Sequence, residues 1–511
     1  MRWITIIALI SCVAVSAAAE VTYQTIAVPG APVPGNPDLR FDTRRLSTPV
    51  IDSAGRIAFA TGYRDSKSSV YGLWLGTGKS MRLLASSALA APGTESRYSS
   101  PGFTRLHPSS DALGRIIFHS DLYSTASGRS EGLFMGTPGS VELVARSGDA
   151  VPGTDSTMRS FHSYTMGAGG HIAFSTDSTL SDLASVRNSI WGGTPGNMKL
   201  LASVGAQAPG LADGVRFSSI DSDPVVNGGG QVAFSATEKD SGVWLGPVSE
   251  PRRFLTNGSP AANPSGKASF RRFGSPRINE RGQIAFSATA SERSIDLPTE
   301  FDGIWAGSPG AMRQVVRTGT SVPRRGFFTA IGDFAFNDDG DVLFAAMLAE
   351  HPGSEDSKAG LWLASGDIVR PVIDPINVQV GIPEAPYLGF GTAALNNKGQ
   401  IAFSLRRMEG GKAVTTLWAT DLAGNLIAIA REGDQIKTSD GMSFRILSLE
   451  GVIARPLAEN PQLLSGMLND NGQLVFAAYT DREMALFVAS IPEPAVLPLL
   501  AVVLMLRRRA R

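Results

Sequence analysis

A short polar turn followed by an apolar strand recurs eight times along this chain. Each copy has Asn or Asp (Gly167 in the third copy), a glycine three residues later and a phenylalanine four residues after that glycine. The glycines and phenylalanines are Gly55 and Phe59, Gly114 and Phe118, Gly170 and Phe174, Gly230 and Phe234, Gly282 and Phe286, Gly340 and Phe344, Gly399 and Phe403, and Gly472 and Phe476. Asn or Asp followed by Gly at the fourth position is typical of a type I β-turn. Because the residues after each glycine are apolar on both faces, we expect strands that are buried on both sides.

A second apolar strand, with an aromatic residue 14 to 23 positions after the glycine, follows each turn. Six of the seven tryptophans occupy this position. The aromatic residues are Trp74, Phe134, Trp191, Trp244, Trp305, Trp362, Trp418 and Phe487. An aromatic residue that recurs in register is more often a packing element than a ligand platform. We therefore interpret the glycines, phenylalanines and tryptophans of the repeat as structural.

A third apolar strand with a Pro-Gly turn completes the unit, most clearly at residues 83–93 and 143–153, and the remaining length has room for one more strand. The glycines are spaced 52 to 73 residues apart. About four strands per unit, repeated eight times, is typical of a β-propeller. The sequence therefore predicts an all-β protein, an eight-bladed β-propeller of about four strands per blade.

The two ends of the repeat region complement each other. The eighth unit lacks the third strand, and residues 25–35 align without a gap on residues 143–153. We therefore expect the N-terminal strand to complete the last blade and close the ring, which removes an open sheet edge. An open solenoid is the alternative, and it would be expected to show atypical capping units at both ends.

Composition and charge argue against several classes of function for this protein. The chain has 46 basic and 46 acidic residues, so no overall basic field favours nucleic acid. The single cysteine, Cys12, lies in the N-terminal apolar run, and the five histidines are scattered without metal-ligand spacing. The chain also lacks a Gly-x-Ser-x-Gly elbow and a phosphate-binding loop. We predict no cofactor and no metal, although propeller hydrolases can assemble a site from residues on separate blades.

The N-terminus is typical of a secretory signal peptide. One arginine precedes an apolar stretch, and small residues that include Ala17 and Ala19 stand before Glu20. We expect cleavage after Ala19, which makes residues 1–19 the signal. The alternative is lipidation at Cys12, because residues 9–12 resemble a bacterial lipobox.

The C-terminus has three parts in a fixed order: Pro492-Glu493-Pro494, a charge-free run at residues 495–506, and an arginine cluster at the end. This order resembles the PEP-CTERM sorting signal of Gram-negative bacteria. The resemblance implies an exosortase-type processing enzyme as a partner, transient tethering to the inner membrane through residues 491–511, and a destination at the cell surface or in the exopolysaccharide matrix. The predicted repeat domain is residues 20–490. Over residues 25–489 its tandem Asn-x-x-Gly-x-x-Ala-Phe box resembles a family of exported bacterial repeat proteins, which likewise implies surface display.

The leading hypothesis is a secreted, surface-targeted, non-catalytic propeller that binds or builds the extracellular matrix, with polysaccharide as a possible partner and no nucleic acid. The alternative is an extracellular polysaccharide hydrolase or lyase with a site at one mouth of the ring. Loop acids such as Glu300, Asp302 and Glu350 are the candidates for that site, and Glu355 and Asp356 extend the set.

Both ends can be tested together by the intact mass of the protein from its own host. We expect a mass that runs from Glu20 to Ile491 or Glu493, because both signals would have been removed. A mass that retains residues 495–511, found only in membranes, would contradict the matrix hypothesis. A mature chain that begins at Cys12 would instead support lipidation.

Overall fold

The structure is a computed structural model that describes residues 20–64, 69–102, 109–126, 128–178, 189–293, 298–351, 357–374, 387–449 and 466–493. The predicted signal peptide, Cys12 and the residues from Pro494 onward lie outside this range. Within it, the one helical element is a short 3-10 turn at Gly78–Ser80, and everything else is strand, turn or loop.

The strands form eight antiparallel sheets, which are the blades of an eight-bladed β-propeller. The strands of blades 1 to 4 are Pro32–Val33, Asn36–Leu46, Val50–Ile51, Ile57–Arg64, Ser69–Gly76 and Arg82–Ser86; Arg97–Tyr98, Ser109–Ser110, Ile116–Ser124, Gly128–Thr137 and Ser140–Arg146; Met158–Met166, Ile172–Ser178, Ser189–Thr194 and Asn197–Ser203; and Ser219–Ile220, Val225–Val226, Gln231–Thr237, Ser241–Pro247 and Arg252–Thr256. The strands of blades 5 to 8 are Pro260–Ala261, Ala268–Ile278, Ile284–Arg293, Pro298–Ser308 and Ala311–Arg317; Ser321–Val322, Gly326–Phe336, Val342–Ala349, Lys358–Ser365 and Ile368–Ile373; Tyr387–Leu395, Ile401–Glu409, Lys412–Thr420 and Leu426–Arg431; and Gln435–Lys437, Ser443–Ser448, Gln473–Thr480, Glu483–Ser490 and the N-terminal Thr22–Ala27.

Each blade is a meander of four main strands, which we number from first to fourth. The second strand begins after the repeat glycine, the third carries the aromatic residue, and the fourth is the Pro-Gly-turn strand. First strands of adjacent blades contact one another, as Ala268–Ile278 contacts Gly326–Phe336. The first strands therefore lie at the inner edge of the ring, and the fourth strands form the outer edge.

The turn before each second strand follows from its residues. In blade 5 the Gly282 amide donates to the Asn279 carbonyl at 3.0 Å, and the Asn279 amide donates to the Gln283 carbonyl at 3.0 Å. All eight repeat glycines have φ between +68° and +85°, a region that disfavours side chains. The glycine therefore closes the turn and starts the strand.

A phenylalanine and an aromatic residue face each other across the second and third strands of every blade. In blade 5 the rings of Phe286 and Trp305 stack at 6.4 Å with 16° between their planes. A third aromatic residue meets this pair edge-on, as Phe270 meets Trp305 at 5.0 Å and 76°. The equivalents of Phe270 in five other blades are Phe41, Tyr98, Phe217, Phe328 and Phe444. Offset and edge-on contacts are the favoured aromatic geometries, and these six blades build their cores around them.

The ring closes as predicted. Thr22–Ala27 pairs antiparallel with Glu483–Ser490, and Thr25 faces Phe487 as Leu143 faces Phe134 in blade 2. The same register shift follows in both blades. The Tyr23 hydroxyl adds a 2.6 Å hydrogen bond to the Ile429 carbonyl of blade 7, and burial raises its pKa to about 12. The first strand of the chain is thus the fourth strand of the last blade.

The aromatic core predicts that Trp305→Ala or Phe286→Ala lowers the free energy of unfolding by roughly 3–5 kcal/mol, because both side chains are fully buried. Chemical denaturation measures this change. An effect below about 1 kcal/mol would contradict the assignment of these residues to the core.

Trp305 and Trp244 form a matched pair that separates the contribution of an indole hydrogen bond to stability from that of side-chain volume. The Trp305 indole donates to the Ala262 carbonyl at 2.7 Å, whereas the buried Trp244 indole has no partner among the described residues. We expect Trp305→Phe to cost roughly 1–2 kcal/mol more than Trp244→Phe, because only the first breaks a hydrogen bond and leaves a part-buried carbonyl unpaired.

Candidate functional site

The eight Asn-x-x-Gly turns join into a closed circuit of contacts, which we call the turn ring. Its turns are residues 52–55, 111–114, 167–170, 227–230, 279–282, 337–340, 396–399 and 469–472. From blade 4 onward, each asparagine Nδ2 donates to the carbonyl of the equivalent residue in the next blade, at 2.8 to 3.1 Å. The last of these bonds runs from Asn469 to Asp52 and connects blade 8 to blade 1.

The other three junctions use different donors. Arg56 donates to the Leu113 carbonyl at 3.2 Å, between blades 1 and 2. The Ala112 amide donates to the Ala168 carbonyl at 3.0 Å, between blades 2 and 3. His171 Nδ1 lies 3.1 Å from the Gly228 carbonyl, between blades 3 and 4. All eight junctions are therefore bridged.

The residue after each repeat glycine explains why Asp replaces Asn in two blades. In blade 5, Asn279 Nδ2 donates to Gln283 Oε1 at 2.8 Å while Asn279 Oδ1 accepts from the Gln283 amide at 2.8 Å. In blade 1, Asp52 Oδ2 accepts from Arg56 Nε at 2.6 Å, and Asp52 Oδ1 accepts from the Arg56 amide at 2.8 Å. Asp111 and Arg115 repeat this pair at 2.6 Å in blade 2. The same turn is thus stabilised in two ways, by an Asn–Gln pair or by an Asp–Arg pair.

The repeat glycines have a second role in the turn ring. A Cβ at Gly55 would lie 2.7 Å from Gln473 Oε1, and one at Gly114 would overlap the Arg56 guanidinium. The side chain after one glycine therefore covers the glycine of the next blade. The repeat residues chosen from the sequence are brought together as a scaffold.

Of the predicted processing residues, the structure describes Glu20, Pro492 and Glu493. Glu20 is exposed before the N-terminal strand. At the other end, Ile491 is buried and its amide donates to the Gly472 carbonyl at 2.8 Å. The next described residues are Pro492 and Glu493, and Gln400 Nε2 donates to Glu493 Oε1 at 3.2 Å. The ordered contacts of the propeller therefore extend three residues beyond the predicted boundary at residue 490.

Bulges interrupt the first strands at the inner edge of the ring, where residues have no partner on the second strand. Blades 5, 6 and 7 share a two-residue bulge that begins with glycine, and blade 1 has a longer one. The bulge residues include Thr43, Arg44 and Arg45 in blade 1, His162 in blade 3, Gly274 and Ser275 in blade 5, Gly332 and Asp333 in blade 6, and Gly391 and Thr392 in blade 7. Bulges are frequent beside functional sites because they redirect side chains. The bulge stands eight residues before the repeat glycine in blades 3, 5, 6 and 7, so it recurs with the repeat, but the patterns of the turns and of the two strands after them did not predict it.

The largest of these bulges borders a cavity of about 270 Å³ lined by Asp42, Arg44, Arg45, Gly62 and Tyr71. Three consecutive residues are looped out there, because Asp42 pairs with Gly62 and Leu46 with Thr61. Thr43 anchors the loop by donating to the Met484 carbonyl of blade 8. The bulge therefore presents two arginines at a junction between blades.

The two arginines have different surroundings. Arg44 donates from Nε to Asp42 Oδ1 at 2.7 Å and pairs through its second nitrogen with Oδ2. The hydrogen bond from Arg44 lowers the pKa of Asp42 and raises the pKa of the arginine in turn. The Arg45 guanidinium lies 5.9 Å from the centre of the Tyr71 ring. Among the described residues, no carboxylate pairs with Arg45.

The model of one protein family, described as a family of unknown function (DUF7453), matches residues 14–261 and again residues 236–498. This chain belongs to the DUF7453 family. A search of curated protein sequences found no match.

Several solved structures resemble this DUF7453 protein at the level of fold. The β-propeller domain of the Trilobed protease from Pyrococcus furiosus is 12% identical, with 78% of this chain and 97% of that chain covered and a TM-score of 0.39. An acylaminoacyl peptidase from Pyrococcus horikoshii is 12% identical, with 71% and 50% covered and a TM-score of 0.33. The polysaccharide lyase Uly1 is 9% identical, with 79% and 99% covered and a TM-score of 0.35.

Other polar groups of the DUF7453 protein lie between blades. His119 Nε2 lies 3.2 Å from Glu131 Oε2, which also accepts from the Phe161 amide of blade 3 at 3.1 Å. Burial opposes ionisation of Glu131, but these contacts outweigh it and lower the pKa of the carboxyl. Of the predicted loop acids, Asp302 accepts from Thr289 at 2.7 Å, Glu300 and Glu350 are exposed, and Glu355 and Asp356 lie outside the described residues.

The described residues contain no group of three or more His, Cys, Asp or Glu side chains placed to hold a metal ion. Over the same residues, no helix is long and apolar enough to cross a membrane.

The turn ring of this DUF7453 protein predicts a compensating pair of substitutions. Asn279→Asp removes the donor to Asn337 and sets a carboxylate against Gln283 Oε1, so it should cost roughly 2–4 kcal/mol of unfolding free energy. Adding Gln283→Arg recreates the Asp52–Arg56 arrangement, and we expect it to restore at least half of the loss. Chemical denaturation of both single variants and the double variant measures the coupling.

Gln283→Arg alone is the control, since it lacks an acidic partner at residue 279. Additive effects of the two substitutions would contradict the equivalence of the two turn chemistries.

Proposed function

We propose that this protein is an exported, non-catalytic propeller that binds a polar polymer of the extracellular matrix. The fold provides the scaffold for this role. Export and surface display rest on the two terminal signals seen in the sequence. Binding rests on the inner edge of the ring.

The observation that carries the proposal is the cavity-bearing bulge of blade 1. Its lining combines guanidinium groups with an aromatic ring, and its one carboxylate is held by Arg44. Binding sites combine aromatic surface with a few placed polar groups in this way. General acid–base catalysis instead calls for a group that is free to exchange a proton with the substrate. The low pKa of Asp42 keeps that carboxylate ionised and paired.

The division of the molecule into constant and variable parts also supports binding. The turn ring bridges all eight junctions, five of them through the same asparagine donor, whereas the bulge of blade 1 carries two arginines where the bulges of blades 5, 6 and 7 begin with glycine. A rigid frame with variable groups at one edge is how scaffolds commonly present recognition residues.

The alternative remains a polysaccharide hydrolase or lyase. An incubation of the purified propeller, residues 20–493, with matrix polysaccharide from its own host tests both functions. We expect the protein to co-sediment with the polymer and to release neither reducing ends nor unsaturated sugars. Release of either product would contradict the non-catalytic proposal and support the enzyme. Failure to co-sediment, without any product, would contradict both.

A further inference from the structure

We propose that the blade 1 cavity binds the carboxylate of an acidic sugar unit in a polysaccharide chain, with Arg45 as the principal contact. This inference rests on the proposed function, since it names the class of polymer for the same site. Its basis is the charge, the shape and the surroundings of Asp42, Arg44, Arg45 and Tyr71.

The charge of the cavity favours an anion. Two arginines and one aspartate line it, so its lining residues carry one net positive charge. Asp42 compensates Arg44, which leaves Arg45 without an acidic partner in the described part of the chain. Glu483 and Arg64 act on this pair from nearby with opposite charges. A guanidinium binds a carboxylate through two parallel hydrogen bonds, and Arg45 has its donors available for such a pair.

The size and the opening of the cavity favour one unit of a polymer. A volume of about 270 Å³ is slightly below the roughly 300 Å³ at which sites for whole small molecules begin. The Arg44 side chain is 65% exposed, so the cavity is open to solvent and a chain can continue on either side. A single sugar ring therefore fits, while the rest of the polymer stays outside.

The Tyr71 ring distinguishes an acidic sugar from a bare anion. Arg45 lies over this ring at 5.9 Å, so a ligand that pairs with the guanidinium is placed beside an aromatic surface. Aromatic side chains supply apolar contact area, and the C–H face of a sugar ring matches such a surface. Inorganic phosphate or sulfate has no apolar face and gains nothing from it.

Asp42 has a positioning role in this site. It holds Arg44 through two contacts and occupies that guanidinium. Because the aspartate also contributes negative charge, its removal should strengthen binding of an anion, whereas removal of Arg45 should weaken it. These opposite signs are a signature that a loss of structure in either variant would not produce.

The experiment measures affinity for polygalacturonate at low salt, with neutral dextran and dextran sulfate as comparison polymers. We expect Arg45→Ala to weaken binding of polygalacturonate by at least about tenfold and Asp42→Asn to strengthen it severalfold. Arg252→Ala is the matched control, because Arg252 is an exposed arginine on a fourth strand, paired with Glu250. It should leave the affinity unchanged. Thermal unfolding of each variant confirms that the fold is retained.

Several results would overturn the inference. Equal loss of affinity in Arg45→Ala and Arg252→Ala would mean that charge alone attracts the polymer. Binding of dextran sulfate that is as tight and as dependent on Arg45 would mean that the site takes any anion. Binding of dextran equal to that of polygalacturonate would exclude a role for the carboxylate.

The outcome is separable from that of the proposed function. Equal binding of host matrix polysaccharide to the wild type and to Arg45→Ala would contradict the proposal that the cavity is the binding site. It would leave the proposed matrix role intact. Polygalacturonate that binds through Arg45, with no binding of host matrix, would support the cavity and contradict the matrix role.

Discussion

The hydrogen bond from one blade's turn to the next is the interaction on which this propeller depends. Adjacent blades of a propeller meet mainly through their packed faces. Apolar contact between these faces does not by itself fix the angle between the blades. Asn279 Nδ2 bridges its own Gln283 to the carbonyl of Asn337, so a single amide sets the turn and the junction together. Because the circuit returns from Asn469 to Asp52, every junction restrains all the others.

The close contacts of the turns fall on particular positions. A Cβ at Gly167 would overlap the backbone of Asn227, whereas a middle residue of a turn such as Leu113 is exposed. The first strands pair with the second strand on one side, and their inner edge pairs with at most a short strand such as Pro260–Ala261. Bulges can be inserted into that edge without disturbing the aromatic core. Arg44 and Arg45 occur at such a point, and the binding role proposed for them depends on a frame to which they contribute little.

Sequence reasoning worked best where the physics is local. Gly282 and Phe286 identify a turn and a buried strand from five residues, and the same signal in eight copies predicted the number of blades. The alignment of residues 25–35 with residues 143–153 predicted ring closure, and Thr25 faces Phe487 in the expected register. The edge-on aromatic, Phe270 in blade 5, was missed. Its signal is an aromatic residue 12 to 16 positions before the repeat glycine in five blades, at Phe41, Tyr98, Phe217, Phe270 and Phe328.

The sequence by itself therefore determined the fold class, the eight units and the closing strand, because turns and strand periodicity depend on neighbours in the chain. Only the tertiary structure decided what surrounds Arg45 and which residue covers Gly55. Tyr71 lies 26 positions from Arg45, and Gln473 lies 418 positions from Gly55. Those contacts arise from the stacking of strands and the closure of the ring. No local sequence pattern encodes these contacts, because the curvature of the whole ring determines which residues meet.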